Sequence, residues 1–193
     1  MQEDLLQIRS LGVNFYVLRD SSGLYLIDAG FIGGRQLLHQ ALKKRGWVRE
    51  PIMGIIVTHG HLDHILHVGR IAEETGAWIA APRLDASHYQ GCPTYQGASI
   101  ITGLIEAIGR PLLGFRKFTP TRLLDDGDVL DIWHGLTVVH LPGTQLVIVD
   151  SIAPAGSCSS VLTFSPAMAI SRICHPWFST AMELRFPRVS RRL

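Results

Sequence analysis

The segment Thr58-His59-Gly60-His61-Leu62-Asp63-His64, entered from an apolar run over residues 52–57, constrains this chain more than any other stretch. That run is short and nearly all apolar, the composition of a strand buried on both faces. Alternate residues of an extended strand end project to the same side, so His59 and His61 point together. Asp63 and His64 follow where the chain turns into a helix. Four ligand-type side chains thus converge between positions 59 and 64. Burying three imidazoles and a carboxylate in one loop without a metal leaves several polar groups to satisfy. Neutral imidazole and carboxylate suit zinc, and also iron, manganese or cobalt. The motif therefore specifies a divalent transition metal, with zinc leading on redox innocence and availability.

The rest of the front half reads as a succession of strands and helices. Residues 13–18 and 24–27 are strand-like and are separated by Asp20-Ser21-Ser22-Gly23, a turn composition, which predicts a hairpin. Leu37, Leu38, Ala41 and Leu42 recur at helical spacing over 34–45, basic residues come late, and Gly46 follows as a stop. A second helix is expected over 65–75, closed by Gly76, and a strand over 77–81. This βαβ order argues for a layered α/β architecture. Residues 85–120 mix Gly, Pro and Tyr around a helix expected over 100–108, and stand as a substrate-side insertion or lid. Asp125-Asp126-Gly127-Asp128 marks a tight turn before a strand over 137–141.

With 193 residues, 47% of them hydrophobic, the chain buries one good core and reads as one domain. A net charge of +2 with no basic stripe interleaved with aromatics argues against nucleic acid as a partner. Cys92, Cys158 and Cys174 lie far apart without a CxxC pair, so they read as reduced thiols. The acidic start Met1-Gln2-Glu3-Asp4 is unlike a secretory signal, and a cytoplasmic location is expected. Residues 151–170 carry no charged side chain, but Pro154, Pro166 and several serines break the apolar run, so no membrane span is expected.

Thr-His-x-His-x-Asp-His after an apolar strand resembles the signature of the metallo-β-lactamase superfamily. Asp28-Ala29-Gly30, closing the hairpin, and Gly127-Asp128, before the later strand, are similar to turns at the same places in that family. The resemblance covers about residues 10–143 and implies an α/β (α+β) αββα sandwich. It makes His59 and His61 ligands of a first metal and Asp63 and His64 ligands of a second, with Asp63 also orienting the nucleophile. Two zinc ions are implied, iron or manganese being the alternatives. The implied activity is hydrolysis of a small-molecule ester, thioester, lactone, lactam or phosphodiester by metal-activated water. A mononuclear iron persulfide oxidoreductase is the second reading, since some relatives share this His-rich segment. Thr58 is expected to hold the loop by a side-chain-to-backbone hydrogen bond. His67 is assigned a supporting place at the rim, because helical side chains point back toward the helix N-terminus. His39, His88, His134 and His175 lack ligand-like neighbours.

The family pattern continues with Pro-Gly-His-Thr-x-Gly-His, whereas this chain has Pro142-Gly143-Thr144-Gln145-Leu146. Lysine then disappears, and the remaining basic residues are all arginine. A one-nucleotide deletion in the Gly143 codon accounts for the break. Re-reading each later residue from the last base of the preceding codon and the first two of its own permits His at Thr144 and Thr at Gln145. The same shift permits Ala or Thr at Leu146, Gly at Val147 and His at Ile148, restoring Gly-His-Thr-Ala-Gly-His. It also turns Ser157 to Ser160 into a permitted Leu-Leu-Phe-Val, with Gly at Val161 and Asp at Thr163. The expected organisation is a metallo-β-lactamase-like part over 1–143 and an out-of-frame, poorly ordered tail over 144–193. Impaired or absent turnover follows, the third expectation being a catalytically dead member of the family.

Overall fold

The computed structural model describes residues 4–92, 100–133, 135–140, 146–150 and 161–162. β1 (Leu5–Ser10), β2 (Val13–Asp20) and β3 (Gly23–Ile27) form an antiparallel meander. Leu11 and Gly12 make the first two-residue turn with φ of 43° and 89°, the left-handed pair whose twist suits a tight hairpin. At the second turn the Asp20 carboxylate accepts from the Ser22 N–H and hydroxyl at 2.6 Å each, as the turn composition predicts.

The chain then crosses by α1 (Gly34–Arg45) to β4 (Ile52–Ile56), which lies parallel to β3. α1 has the expected bounds: Lys43, Lys44 and Arg45 face the negative end of the helix dipole, and Gly46 caps it at φ 80°. β4 is central, flanked by β3 and by the parallel β5 (Trp78–Pro82), itself followed by β6 (Arg122–Leu124). The first sheet therefore runs β1-β2-β3-β4-β5-β6. A second, antiparallel sheet in the order β10-β9-β8-β7 consists of β7 (Val129–Leu130), β8 (Leu136–His140), β9 (Leu146–Asp150) and β10 (Val161–Leu162).

Successive residues of the central strands serve opposite faces. Phe15, Val17, Leu26, Ile55 and Ile79 pack on one side with Leu38 and Leu42 of α1. Tyr16, Leu18, Ile27, Ile56 and Ala80 face the other way, against Leu130, Leu136 and Val138 of the second sheet. The described residues thus supply a helical layer and two face-to-face sheets, three of the four layers of the expected sandwich.

Two helical expectations need correction. The periodicity over 65–75 resolves into α2 (Leu62–Ile65) and α3 (Val68–Thr75), because His67 takes φ −105° and ψ −2°. Its side chain is bound to the Phe31 carbonyl rather than to the helix surface. The helix expected over 100–108 continues as α5 (Ile100–Leu112), with Pro111 in its last turn. Between β5 and α5 lie a 3-10 turn (Arg83–Asp85) and α4 (Ala86–Tyr89). Among the described residues no helix is long and apolar enough to cross a membrane. The break at Pro142 to Gln145, Cys158, Cys174, His134 and His175 lie outside the described residues.

Candidate metal centre

β4 delivers the chain to the centre of the sheet, and Asp28, one residue past the end of β3, receives it. Asp28 is fully buried and holds φ 60°, a left-handed backbone that Asp tolerates better than most residues and that is uncommon enough to mark a special site. Its N–H donates to the Ile56 carbonyl at 2.8 Å. Its carboxylate accepts from the Thr58 N–H at Oδ1, 2.8 Å, and from the Thr58 hydroxyl at Oδ2, 2.7 Å. Oδ2 also lies 2.7 Å from His64 Nδ1. One buried carboxylate therefore ties together both ends of the His-rich segment.

These bonds fix the tautomers of two imidazoles. Thr58 has one hydroxyl proton and gives it to Asp28, so at 2.9 Å from His59 Nδ1 its oxygen must accept. The His59 proton then sits on Nδ1 and the lone pair on Nε2. By the same logic His64 donates from Nδ1 to Asp28, leaving its Nε2 lone pair free to face the site. The Thr58 side chain thus bonds to two side chains, rather than to backbone as the sequence predicts, while its N–H provides the main-chain tie.

The electrostatics divide the two histidines. Burial, then the neighbouring charges of His64, His61 and His88, push the His59 pKa down to about 2, so His59 is a neutral imidazole at any ordinary pH. Burial also pulls on His64, but the charge and hydrogen bond of Asp28, helped by Asp63, outweigh it and leave its pKa raised. His64 is accordingly the stronger base of the two.

His59 Nε2 is buried and makes no hydrogen bond. An orphaned imidazole nitrogen in an interior is costly unless something else occupies its lone pair. Ligand atoms of His59, His61 and Asp63 lie within 4.8 Å of one another. The His59 ring centre is 4.8 Å from that of His61 and 4.0 Å from that of His64. Asp63, with 39% of its side chain exposed, holds Oδ2 3.8 Å from His64 Nε2. The four residues singled out by the sequence are therefore gathered in one place, and their donor set fits a divalent transition metal.

Asp28, His59 and His64 form a second triple within 4.8 Å. We read it as a brace, because both Asp28 oxygens already accept protons and His64 has committed Nδ1 to it.

His67 turns away from this group: its Nε2 lies 3.0 Å from the Phe31 carbonyl, which leaves the ring in a supporting place. His88 comes nearer than its sequence context predicts. Its ring is 6.5 Å from that of His61, and a Cβ added at Gly60 would lie 2.4 Å from His88 Nδ1. Sequence reasoning also missed the side chains that hold the loop from outside. Asp85 accepts from the Gly60 N–H at 2.8 Å and Glu106 from the Leu62 N–H at 3.2 Å, with Arg110 bound to Glu106 at 2.7 Å. An Asp three residues before His88, and a Glu-x-x-x-Arg pair at one-turn spacing, were the available signals.

Comparison with known proteins bears on the family and the fold. Residues 8–151 match the family model described as the Metallo-beta-lactamase superfamily. Over 118 residues the chain is 30% identical to a UPF0173 metal-dependent hydrolase of Chloroflexus aurantiacus, covering 61% of this chain and 42% of that protein. It thus spans less than half the length of that curated relative. The fold is similar to that of the metallo-beta-lactamase FEZ-1 of Legionella gormanii, at TM-score 0.66 and 18% identity, covering 84% of this chain and 61% of that one. It is also similar to the class B3 di-zinc metallo-beta-lactamase LRA-12 from an Alaskan soil metagenome, at TM-score 0.64 and 19% identity, covering 82% and 58%. GOB-18 of Elizabethkingia meningoseptica gives TM-score 0.63 and 18% identity, covering 78% and 54%.

Proposed function

From the premise that this chain belongs to the metallo-beta-lactamase superfamily, we propose that it is a metal-dependent hydrolase of a small-molecule substrate, with His59, His61, Asp63 and His64 as its metal ligands. The observation that carries this reading is the buried, unpartnered Nε2 of His59 in a residue whose ligand atoms cluster with those of His61 and Asp63 within 4.8 Å of one another. Two zinc ions are the proposed complement, His59 and His61 serving one and Asp63 and His64 the other.

A bound dication supplies Lewis acidity, lowering the pKa of water from about 16 towards 7 and polarising the oxygen of the bond under attack. His59 binds as a neutral imidazole whose tautomer Thr58 sets, and costs no deprotonation. His64 binds through Nε2, its basicity raised by Asp28. Asp63, partly exposed beside them, would accept a hydrogen bond from the attacking water at a carboxylate oxygen and so orient it. Esters, thioesters, lactones, lactams and phosphodiesters share this requirement and differ in the walls of the pocket.

We further propose that the chain turns over slowly or not at all, because Thr144 stands where a third histidine would complete the first site. The test is elemental analysis of the purified protein, followed by assays on ester, thioester, lactone, lactam and phosphodiester substrates. Zinc below two per chain, lost in H59A, with little or no hydrolysis, is the expected result for the chain as it stands, and two zincs with hydrolysis for the chain carrying the re-read frame. One iron per chain with oxygen consumption on a persulfide would favour the oxidoreductase reading. Failure to hold any metal would overturn both.

A further inference from the structure

The ligand loop alternates between side chains and main chain in a way the metal reading does not use. Residues 59, 61 and 63 present ligand side chains, while the N–H groups of the residues between and before them, 58, 60 and 62, each donate to a carboxylate from a distant part of the chain. Asp28 takes Thr58, Asp85 takes Gly60 at 2.8 Å, and Glu106 takes Leu62 at 3.2 Å. The last of these is buried with its counter-ion. Glu106 and Arg110 have side chains 10% and 5% exposed and pair at 2.7 Å one turn apart on α5. Arg110 also donates to the His88 carbonyl at 2.8 Å and approaches the Gly60 carbonyl at 3.4 Å, with its guanidinium 4.7 Å above the Phe115 ring. A buried ion pair is seldom a net source of stability, and one that contacts the main chain of a ligand loop from both partners calls for another role.

We propose that Asp85, Glu106 and Arg110 are positioning residues that set the backbone of 60–62 before a metal arrives. Gly60 is the pivot: its N–H is held by Asp85, its carbonyl is approached by Arg110, and His88 packs where a Cβ would stand, at 2.4 Å. With the loop pinned on both sides, His61 and Asp63 lose little freedom on binding, which is how preorganisation becomes affinity. The inference rests on the metal reading for its purpose, yet the pinning exists without metal and is measured without it.

The experiment uses the full chain, wild type and the variants D85A, D85N, E106Q and the charge-free double E106L/R110M, which leaves no buried ion unpaired. Amide exchange is followed on the chelated protein, and zinc affinity by competition with a chromophoric chelator. In the chelated variants D85A and E106L/R110M, exchange at Gly60 and Leu62 should rise about tenfold or more while Ile55 and Ile56 of β4 keep their protection. D85N, which retains an acceptor oxygen, should restore most of it at Gly60. Zinc affinity should fall about tenfold or more in the same order. Unchanged exchange at Gly60 and Leu62, or a rise spread evenly through β4 and β5, would overturn the inference and leave the pair a part of the general fold. A wild-type chain that takes up no zinc would sink the hydrolase reading, while the exchange data would still decide the pinning.

Discussion

At the scale of single residues, the site is a problem of proton placement. Asp28 controls one imidazole directly and another through the Thr58 hydroxyl, so the lone pairs of His59 and His64 are set by hydrogen bonds the ligands make behind themselves. Thr58→Val keeps the shape and removes the relay. His59 can then protonate Nε2 as readily as Nδ1, and zinc affinity should drop about tenfold to a hundredfold, with chelator competition as the measurement. An unchanged affinity would show that the relay is idle. His67 allows a separate test away from the ligands. Burial lowers its pKa from 6.5, with the charges of Arg35 and Arg70 acting the same way against its bond to Phe31. The folded chain therefore keeps His67 neutral where the unfolded chain has begun to protonate it, so stability is fully present above about pH 6.5 and declines as the pH falls below it. Urea midpoints from pH 7.5 to 5 should fall less steeply in H67Q than in wild type. Parallel slopes would assign the acid sensitivity elsewhere.

At the scale of elements, the ligand strand shows what a local pattern can and cannot reveal. The apolar run before Thr58 and the spacing of His59, His61, Asp63 and His64 state their structure outright, because strand burial and ligand alternation are local properties. The bounds of α1 were legible for the same reason, since Gly46 stops the helix by its own φ of 80°. The break between α2 and α3 was hidden, because it comes from His67 reaching the Phe31 carbonyl, 36 residues away in sequence. Equally hidden were Asp85, Glu106 and Arg110, whose bonds to the loop span 25, 44 and 50 residues and leave no period to detect. Two glycines distinguish crowded from open places among these elements. In Gly60→Ala the new methyl meets His88 Nδ1 at 2.4 Å and His88 Cβ at 2.6 Å, so the ring and α4 must move; a loss of about 1–3 kcal/mol is expected. In Gly109→Ala the nearest atom is Leu62 Cδ2 at 3.4 Å, ordinary contact, and removing a glycine from α5 should gain about 0.5–1 kcal/mol. Urea denaturation of both variants checks the pair. Equal effects would mean that α4 yields to the loop more easily than its packing implies.

At the scale of the whole molecule, all four proposed ligands come from one short stretch at the end of β4, in the first sheet. An ion held by a single stretch is gripped from one side, and whatever closes the other side decides how much binding free energy returns to the fold. The codon re-reading places a histidine at 144, four residues beyond the end of β8 in the second sheet. A ligand there would join the two sheets through the metal, so that unfolding either would expel it. Ligand binding stabilises by mass action, by about 2.7 kcal/mol when free zinc is a hundred times the dissociation constant. In a chain of this size that corresponds to a rise in Tm of roughly 5–11 °C. At one fixed concentration of zinc, the chain as it stands should show only part of that rise. A chain carrying the re-read frame from residue 144 should show more of it, and T144H alone should lie between them. The comparison is made by thermal unfolding with and without zinc, and His59→Ala in the re-read chain should abolish the shift. Equal shifts in the chain as it stands and the re-read chain would mean that the loop alone provides the whole of the affinity and that the second sheet contributes no ligand.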